Sequence, residues 1–346
     1  MPSPSDAVAA GLTAIDALVR DDGLLDGVSH AVVGCSGGGD SVALVGILCE
    51  LRPALRLTLV HCDHRARPES ASDVEFVQLL ASESDLECRV VRFDPLSPTA
   101  SGSREARWRK QRRAAFREVL EATGADVVAV GHTLDDQAET VLLNLARGTG
   151  VDGLAGMRSY VEHDGMTIVR PLLGTRRSTL RRYARLRGLE WRRDPSNDDL
   201  EFGRNRVRAA VLPQLETVAP GATSNIARLA AIASEHVDFI EHEVNRMWSG
   251  LAESQADGSL LLHVPGLREL QRPLAVAVLR RAIVAVHGDL KGFGKRHFDG
   301  VLDGVLDGEP AALDLPGVRV RLENDTLLLQ RLQNRRVAPS RGQEAS

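Results

Sequence analysis

Six consecutive residues, Ser36-Gly37-Gly38-Gly39-Asp40-Ser41, constrain this chain more than any other feature. An apolar run from His30 to Gly34 precedes them, and an apolar stretch from Val42 to Leu51 follows. That pattern predicts a strand, a tight loop and a helix. Three successive residues without Cβ free the backbone to bring its N–H groups together on an anion. The start of the following helix adds its partial positive charge, and Ser36 and Ser41 add hydroxyls. The loop therefore predicts a phosphate site. It is neither the GxxxxGK[ST] loop of the common nucleotide triphosphatases nor the GxGxxG loop of dinucleotide enzymes. Asp40 would repel a bare phosphate, so it is expected to hold Mg²⁺ between phosphates or to fix the loop. A plain tight turn is the alternative reading.

The surrounding pattern is that of an α/β fold. Residues 7–20 follow a helical period through Val8, Leu12, Ile15 and Leu18. Leu55 to Val60 predicts a second strand, 73–82 a second helix and Glu87 to Phe93 a third strand. A loop rich in Pro, Ser and Gly at 94–103 leads to a helix at 104–121 that buries Trp108, Ala115, Phe116, Val119 and Leu120. Val127 to Val130 predicts a buried strand. The helix after it, 135–146, is expected to turn Ala138, Val141, Leu142 and Leu145 inward, with Gly148 near its end. A strand at 167–169 and a short helix at 179–187, closed by Gly188, complete a parallel-sheet rhythm.

After Pro220 the pattern changes. A long helix is predicted at 222–248, with Ile226, Leu229, Ala233, Ile240, Val244 and Met247 near one stripe. A strand at 260–264, helices at 273–286 and 297–305, and a strand pair at 318–322 and 327–332 outline a smaller α/β unit. The chain so divides into a parallel-sheet domain (1–216), a helical linker (217–250), a C-terminal α/β domain (251–333) and a polar tail (334–346) expected to fray.

Asp135-Asp136 opens a helix a few residues past a strand, with His132 in the same loop. In a parallel sheet such loops gather at the carboxyl ends of the strands, where ligands sit; adjacent carboxylates there are also ordinary caps. The net charge of -4 conceals basic segments. Residues 104–117 carry Arg104, Arg107, Arg109, Lys110, Arg112, Arg113 and Arg117 against Glu105 alone, and 170–208 holds twelve Arg against five acids. These predict local polyanion footprints, or else solvated helix faces. Cys35, Cys49, Cys62 and Cys88 form no CxxC pair, which argues against a zinc knuckle or redox pair. His61, Cys62 and His64 lack an apparent fourth metal ligand nearby. Free thiols, the lack of a signal-peptide pattern and the lack of a membrane-length apolar run predict a cytoplasmic protein without membrane association.

The loop Ser36–Ser41 is the signature of the PP-loop ATP pyrophosphatase superfamily, and further stretches resemble the tRNA(Ile)-lysidine synthase family within it. They are His61-Cys62-Asp63-His64, Glu105-Ala106-Arg107, the run His132 to Thr140, Arg147 to Gly150, Arg170 to Leu173, Asp194 to Asn197 and Arg204 to Arg208. Order and spacing agree over about residues 28 to 216, and the 222–332 region resembles the family's first C-terminal domain more loosely. Asp63 stands where the family has asparagine and Arg65 where it has glycine. The chain also stops where longer members continue, and the paired cysteines of the tRNA thiolases are missing.

The resemblance implies an ATP- and Mg²⁺-dependent carbon–nitrogen ligase whose partners are free L-lysine and the isoleucine tRNA with a CAU anticodon. It implies that Ser36, Gly37, Gly38, Gly39, Asp40 and Ser41 hold the nucleotide, with Asp40 and Asp136 on the metal. His132, Asp135 and Asp136 would position metal, base or amine in a division the sequence leaves open, with Arg107 and Arg147 as phosphate clamps. Arg147, Arg170, Asn197, Arg204, Asn205, Arg206 and Arg208, with the C-terminal domain, would meet tRNA. A homodimer is compatible with this reading. The rivals are a PP-loop enzyme that adenylates a small acid or thiolates tRNA, and a catalytically silent RNA-binding adaptor.

Overall fold

The computed structural model describes residues 23–65, 70–94, 104–193, 199–307 and 312–332. The helix expected at 7–20, most of the loop at 94–103 and the Asp194 to Asn197 turn lie outside them. By packing the chain divides into two compact units, residues 1–234 and 235–346.

In the first unit the chain runs β1 (His30–Gly34), α1 (Gly39–Leu51), β2 (Arg56–Asp63), α2 (Ser70–Glu83), β3 (Glu87–Arg92), α3 (Arg104–Thr123) and β4 (Val127–Val130). It continues through α4 (Leu134–Ala146), α5 (Val151–Leu154), β5 (Tyr160–His163), β6 (Met166–Val169) and α6 (Arg177–Leu186). Then come α7 (Gly203–Arg206), a π-helical turn (Val207–Val211), α8 (Leu212–Val218) and α9 (Ala222–Leu251), which crosses the division between the units.

Six strands lie in the order β3-β2-β1-β4-β6-β5. All neighbours are parallel except β5, which pairs antiparallel with β6. β1 is central because its apolar residues are covered on both faces, which also explains why it reads as an unbroken apolar run. Leu44, Ile47, Leu48, Leu172, Leu180 and Tyr183 pack on one face of the sheet. Phe116, Val119 and Met166 pack on the other.

β4 lies beside β1 on the side opposite β2. The chain therefore leaves β1 in one direction and later returns in the other. The carboxyl ends of β1 and β4 flank a switch point, the place where open α/β sheets bind ligands.

The buried face of α4 differs from its apolar pattern. Leu145, expected inside, is 58 % exposed, whereas Asp136, Gln137 and Glu139 are buried with Ala138 and Val141. The inner face of α4 is lined by arginines and carbonyls from neighbouring segments, so it buries polar residues.

The second unit holds β7 (Ala252–Ser254), β8 (Leu260–His263), α10 (Val264–Arg268), α11 (Arg272–His287), α12 (Lys295–Asp307), β9 (Ala312–Leu315), β10 (Val318–Glu323) and β11 (Thr326–Arg331). Its sheet, ordered β7-β8-β11-β10-β9, is antiparallel throughout. Its core joins Leu262, Leu279, Ile283, Phe298 and Leu329. The alternating burial of β10 is what an antiparallel strand with one wet face requires. Among the described residues no helix is long and apolar enough to cross a membrane.

Candidate active site

Two loops meet at the switch point. Gly37 takes φ 81°, a conformation that favours glycine, and the loop enters α1 at Gly39. Ser41 Oγ donates to the Gly38 carbonyl at 2.9 Å and accepts the Ser36 N–H at 3.2 Å. The two serine hydroxyls lie 3.3 Å apart. The serines thus shape the loop from inside. From the other side the Arg192 N–H donates to the Gly37 carbonyl at 2.8 Å. The loop after β4 presses against the start of α1, where a Cβ on Gly131 would lie 3.0 Å from the Asp40 carbonyl oxygen.

The run from His132 to Thr140 divides its labour residue by residue. Thr133 caps α4, and Asp136 Oδ2 returns to the Thr133 N–H and hydroxyl, each at 2.8 Å. Asp135 turns elsewhere: its Oδ2 accepts the Arg177 backbone N–H at 2.8 Å, at the start of α6, and lies 3.4 Å from Arg176 Nε. Gln137 holds both backbone groups of Met157. Capping and site-building therefore coexist: Asp135 joins two helix starts, and Asp136 caps with one oxygen while turning the other to the cleft.

Between the two loops lies Arg177, its side chain 11 % exposed. Nε donates to Asp40 Oδ2 at 2.8 Å, Nη2 to Asp136 Oδ1 at 2.7 Å and Nη1 to Glu139 Oε1 at 3.3 Å. Glu139, fully buried, also accepts from Arg208 Nε at 2.7 Å and Nη2 at 3.0 Å. Arg204 donates to Thr140 Oγ1 at 2.9 Å, with its Nε 3.7 Å from Glu139. Arg204 and Arg208, one turn apart, reach α4. Arg206 turns to the Leu200 and Glu201 carbonyls, and Asn205 to that of Asp199.

Burial raises the Asp40 carboxyl above its ordinary value, with Arg177 pulling the other way. Burial also works against the Asp136 carboxylate, yet Arg177, His132 and the Thr133 hydrogen bonds hold it below the ordinary range. The His132 imidazole is pushed down to about 3 by desolvation against the attraction of Asp136. It is a neutral acceptor at Nδ1 for Arg170 Nε, 3.2 Å away. Arg170 also donates to the Arg158 carbonyl at 2.6 Å.

The remaining predicted residues are dispersed. Arg107 lies on α3, whose adjoining residues fix it: Trp108 packs with tilted rings against His64 and Phe202, and Arg104 lies 4.7 Å over the Phe202 ring. Arg147 is exposed at the far end of α4, about 16 Å of helical rise from Asp136, so the structure does not bring it to the phosphate loop. Asn197 lies outside the described residues. His61 bonds the Cys35 carbonyl and His64 the Gln111 side chain, so the two histidines face different partners.

Sequence reasoning missed Arg177 and gave Glu139 no role. Glu139 carried a signal, since it lies three residues after Asp136 and so shares its helix face. Arg177 was hidden in a run of arginines. Among the described residues no cluster of three or more His, Cys, Asp or Glu has metal-binding geometry. Asp40 and Asp136 nevertheless converge on one cation, and two carboxylates completed by phosphate oxygens suit Mg²⁺.

The model of the PP-loop domain family matches residues 13–215. A tRNA(Ile)-lysidine synthase of Solibacter usitatus is 38 % identical over 306 residues, covering 87 % of this chain and 67 % of its own length. That of Symbiobacterium thermophilum is 38 % identical over 314 residues, covering 86 % of this chain and 64 % of its own length. That of Thermobifida fusca is 36 % identical over 294 residues, covering 82 % of this chain and 85 % of its own length. Among solved structures, the U34-tRNA thiolase of Methanococcus maripaludis superposes with a TM-score of 0.57 at 19 % identity, over 66 % of this chain and 80 % of that one, which shows a shared fold. With its phosphate loop at the switch point and these relatives matched over most of its length, the chain belongs to the tRNA(Ile)-lysidine synthase family of PP-loop, ATP-dependent ligases.

Proposed function

We propose that this chain joins free L-lysine to C2 of cytidine 34 in the isoleucine tRNA that carries a CAU anticodon. The C2 oxygen attacks the α-phosphorus of ATP, pyrophosphate leaves, and an adenylated cytidine forms. The ε-amine of lysine then attacks C2, AMP leaves with the former C2 oxygen, and the amine's proton passes to a base. The amine alone cannot displace an amide-like oxygen; adenylation turns that oxygen into part of a phosphate leaving group.

The observation that carries this reading is the convergence of Asp40, within the phosphate loop, with Asp136 and Glu139 on one buried guanidinium. Phosphate chemistry and cation recognition then share one cleft. The loop from Ser36 to Ser41 receives the phosphates, while Asp40 and Asp136 are the residues that would hold Mg²⁺. When bound, the ion neutralises charge between phosphate oxygens. Asp136, whose Oδ1 faces the same space as Asp40, is the carboxylate suited to an incoming ammonium, and a carboxylate can accept the proton that an amine of pKa about 10.4 must lose. Cytidine 34 must leave its stack to enter the cleft. The exposed cations of α3 and Arg206 supply a tRNA surface on the first unit, and the second unit makes its own contacts with the tRNA.

The test is pyrophosphate release with purified components. The transcript with cytidine 34 should react in the presence of ATP and yield the lysine adduct only when lysine is added. A cytidine-34-to-uridine transcript should stay inert. Release that needs no tRNA would favour adenylation of a small acid, and transfer of sulfur would favour thiolation.

A further inference from the structure

We infer that Arg177 is a displaceable counter-ion: it occupies the seat of the catalytic cations before substrates arrive and swings off Asp40 and Asp136 when a metal-bound nucleotide enters. This inference rests on the phosphate-site reading above and adds to it a positioning residue. Each guanidinium nitrogen of Arg177 is committed to a different carboxylate, two of them at 2.8 and 2.7 Å. Asp40 and Asp136 come from two helix starts, those of α1 and α4, and Glu139 lies one turn further along α4. Without a cation among them they would repel one another at positions largely withdrawn from water.

The anchoring of Arg177 separates its backbone from its side chain. Its N–H is tied to Asp135, and the Leu134 N–H to the Thr175 carbonyl at 3.0 Å, so α6 begins at a fixed point. Its neighbour Arg176 departs toward Asp135 and Glu216. The aliphatic stem of Arg177 can therefore rotate while the helix start stays in place. A divalent ion on Asp40 and Asp136 would be repelled by a guanidinium cation held at hydrogen-bond distance on the same two carboxylates. The triphosphate that accompanies the ion brings the negative charge toward which the released guanidinium can turn.

The test uses the full-length protein and Mn²⁺ alone, followed by electron paramagnetic resonance, so it is read independently of tRNA, lysine and turnover. Arg177→Gln should bind Mn²⁺ at least about tenfold more tightly than wild type, because the seat no longer has an internal occupant. Arg208→Gln is the comparison. Arg208 touches Asp136 and Glu139 without reaching Asp40, so its loss changes local charge but leaves the seat filled. A smaller gain in Arg208→Gln supports displacement; equal gains in both variants, or none in Arg177→Gln, overturn it. Should Arg177→Gln fail to fold, Arg177→Lys serves, since an ammonium lacks the three-way fork. It should bind Mn²⁺ between wild type and the expected glutamine value, and affinity equal to wild type would also overturn the inference.

Discussion

The Asp63 side chain accepts the backbone N–H of Arg65 at 2.9 Å and closes a turn in which Arg65 takes φ 47°. These two positions depart from the family pattern, and the structure couples them. An aspartate supplies the same acceptor that an asparagine would. The carboxylate is 7 % exposed, with Arg92 Nε 3.9 Å from its other oxygen. Arg65 holds a backbone conformation that glycine enters without strain.

Arg65→Gly should therefore stabilise the protein by about 1 kcal/mol, the cost of placing an L-residue in the left-handed region. Asp63→Ala should destabilise it by about 1 kcal/mol through loss of the acceptor, while Asp63→Asn should stay close to wild type. Chemical denaturation midpoints decide the matter. A stability unchanged by Arg65→Gly would show that the turn carries no strain.

Gly131→Ala should slow adenylation roughly 10- to 100-fold with little loss of fold, because the new methyl meets the Asp40 carbonyl and not a movable side-chain tip. The loops after β1 and β4 would separate by a few tenths of an ångström at the point where nucleotide and base must meet. Single-turnover adenylation, together with circular dichroism, checks this. A normal rate in the folded variant would mean that the loops tolerate misalignment.

His132 predicts a pH dependence of stability. Its folded pKa of about 3 lies below the ordinary value of 6.5, so the folded state binds fewer protons between those limits. Its contribution is complete above pH 6.5 and declines as pH falls toward 3. His132→Asn should accordingly show a shallower fall in melting temperature between pH 6.5 and 4 than wild type, with a residual slope from His30 and His64, which burial also lowers. Parallel pH–melting curves for the two proteins would contradict a neutral, desolvated imidazole.

The parallel sheet was legible because β1 and β4 are short apolar runs followed by loop signals, and burial on both faces writes that pattern directly. β5 was missed even though Asp164-Gly165 spelled a hairpin; both residues take positive φ, at 53° and 72°. Tyr160 and Glu162 face water on an edge strand, so the apolar signal there was weak. The phosphate loop and Asp136 were legible through local chemistry. Arg177 was not, because its partners lie 38 to 137 residues away and only the folded sheet brings them together.

Arg204, Arg206 and Arg208 allow a sharper division than their spacing alone. Arg208 spends Nε and Nη2 on Glu139, which has no exposure to water, and lies 3.3 Å from Asp136. Arg206 is exposed, and among the described residues its hydrogen bonds go to backbone carbonyls of the preceding loop. A cation bonded to a buried carboxylate sets the geometry of the cleft, whereas an exposed one is free to meet a phosphate. Arg206→Ala should thus lower the slope of log affinity for tRNA against log salt by roughly one, with single-turnover adenylation at saturating tRNA nearly unchanged. Arg208→Ala should leave that slope close to wild type and slow adenylation roughly 10- to 100-fold, since Glu139 and Asp136 lose a partner that fixes them. It should also cost about 1–3 kcal/mol of stability, as one side of a buried charged hydrogen bond is removed. Arg204→Ala should follow Arg208→Ala in milder form, because its hydrogen bond goes to the Thr140 hydroxyl. Filter binding over several salt concentrations, paired with single-turnover kinetics, separates the cases. If Arg208→Ala instead lowers the salt slope by one and leaves the rate untouched, its guanidinium leaves Glu139 for the tRNA backbone, and the carboxylate pair orients without it.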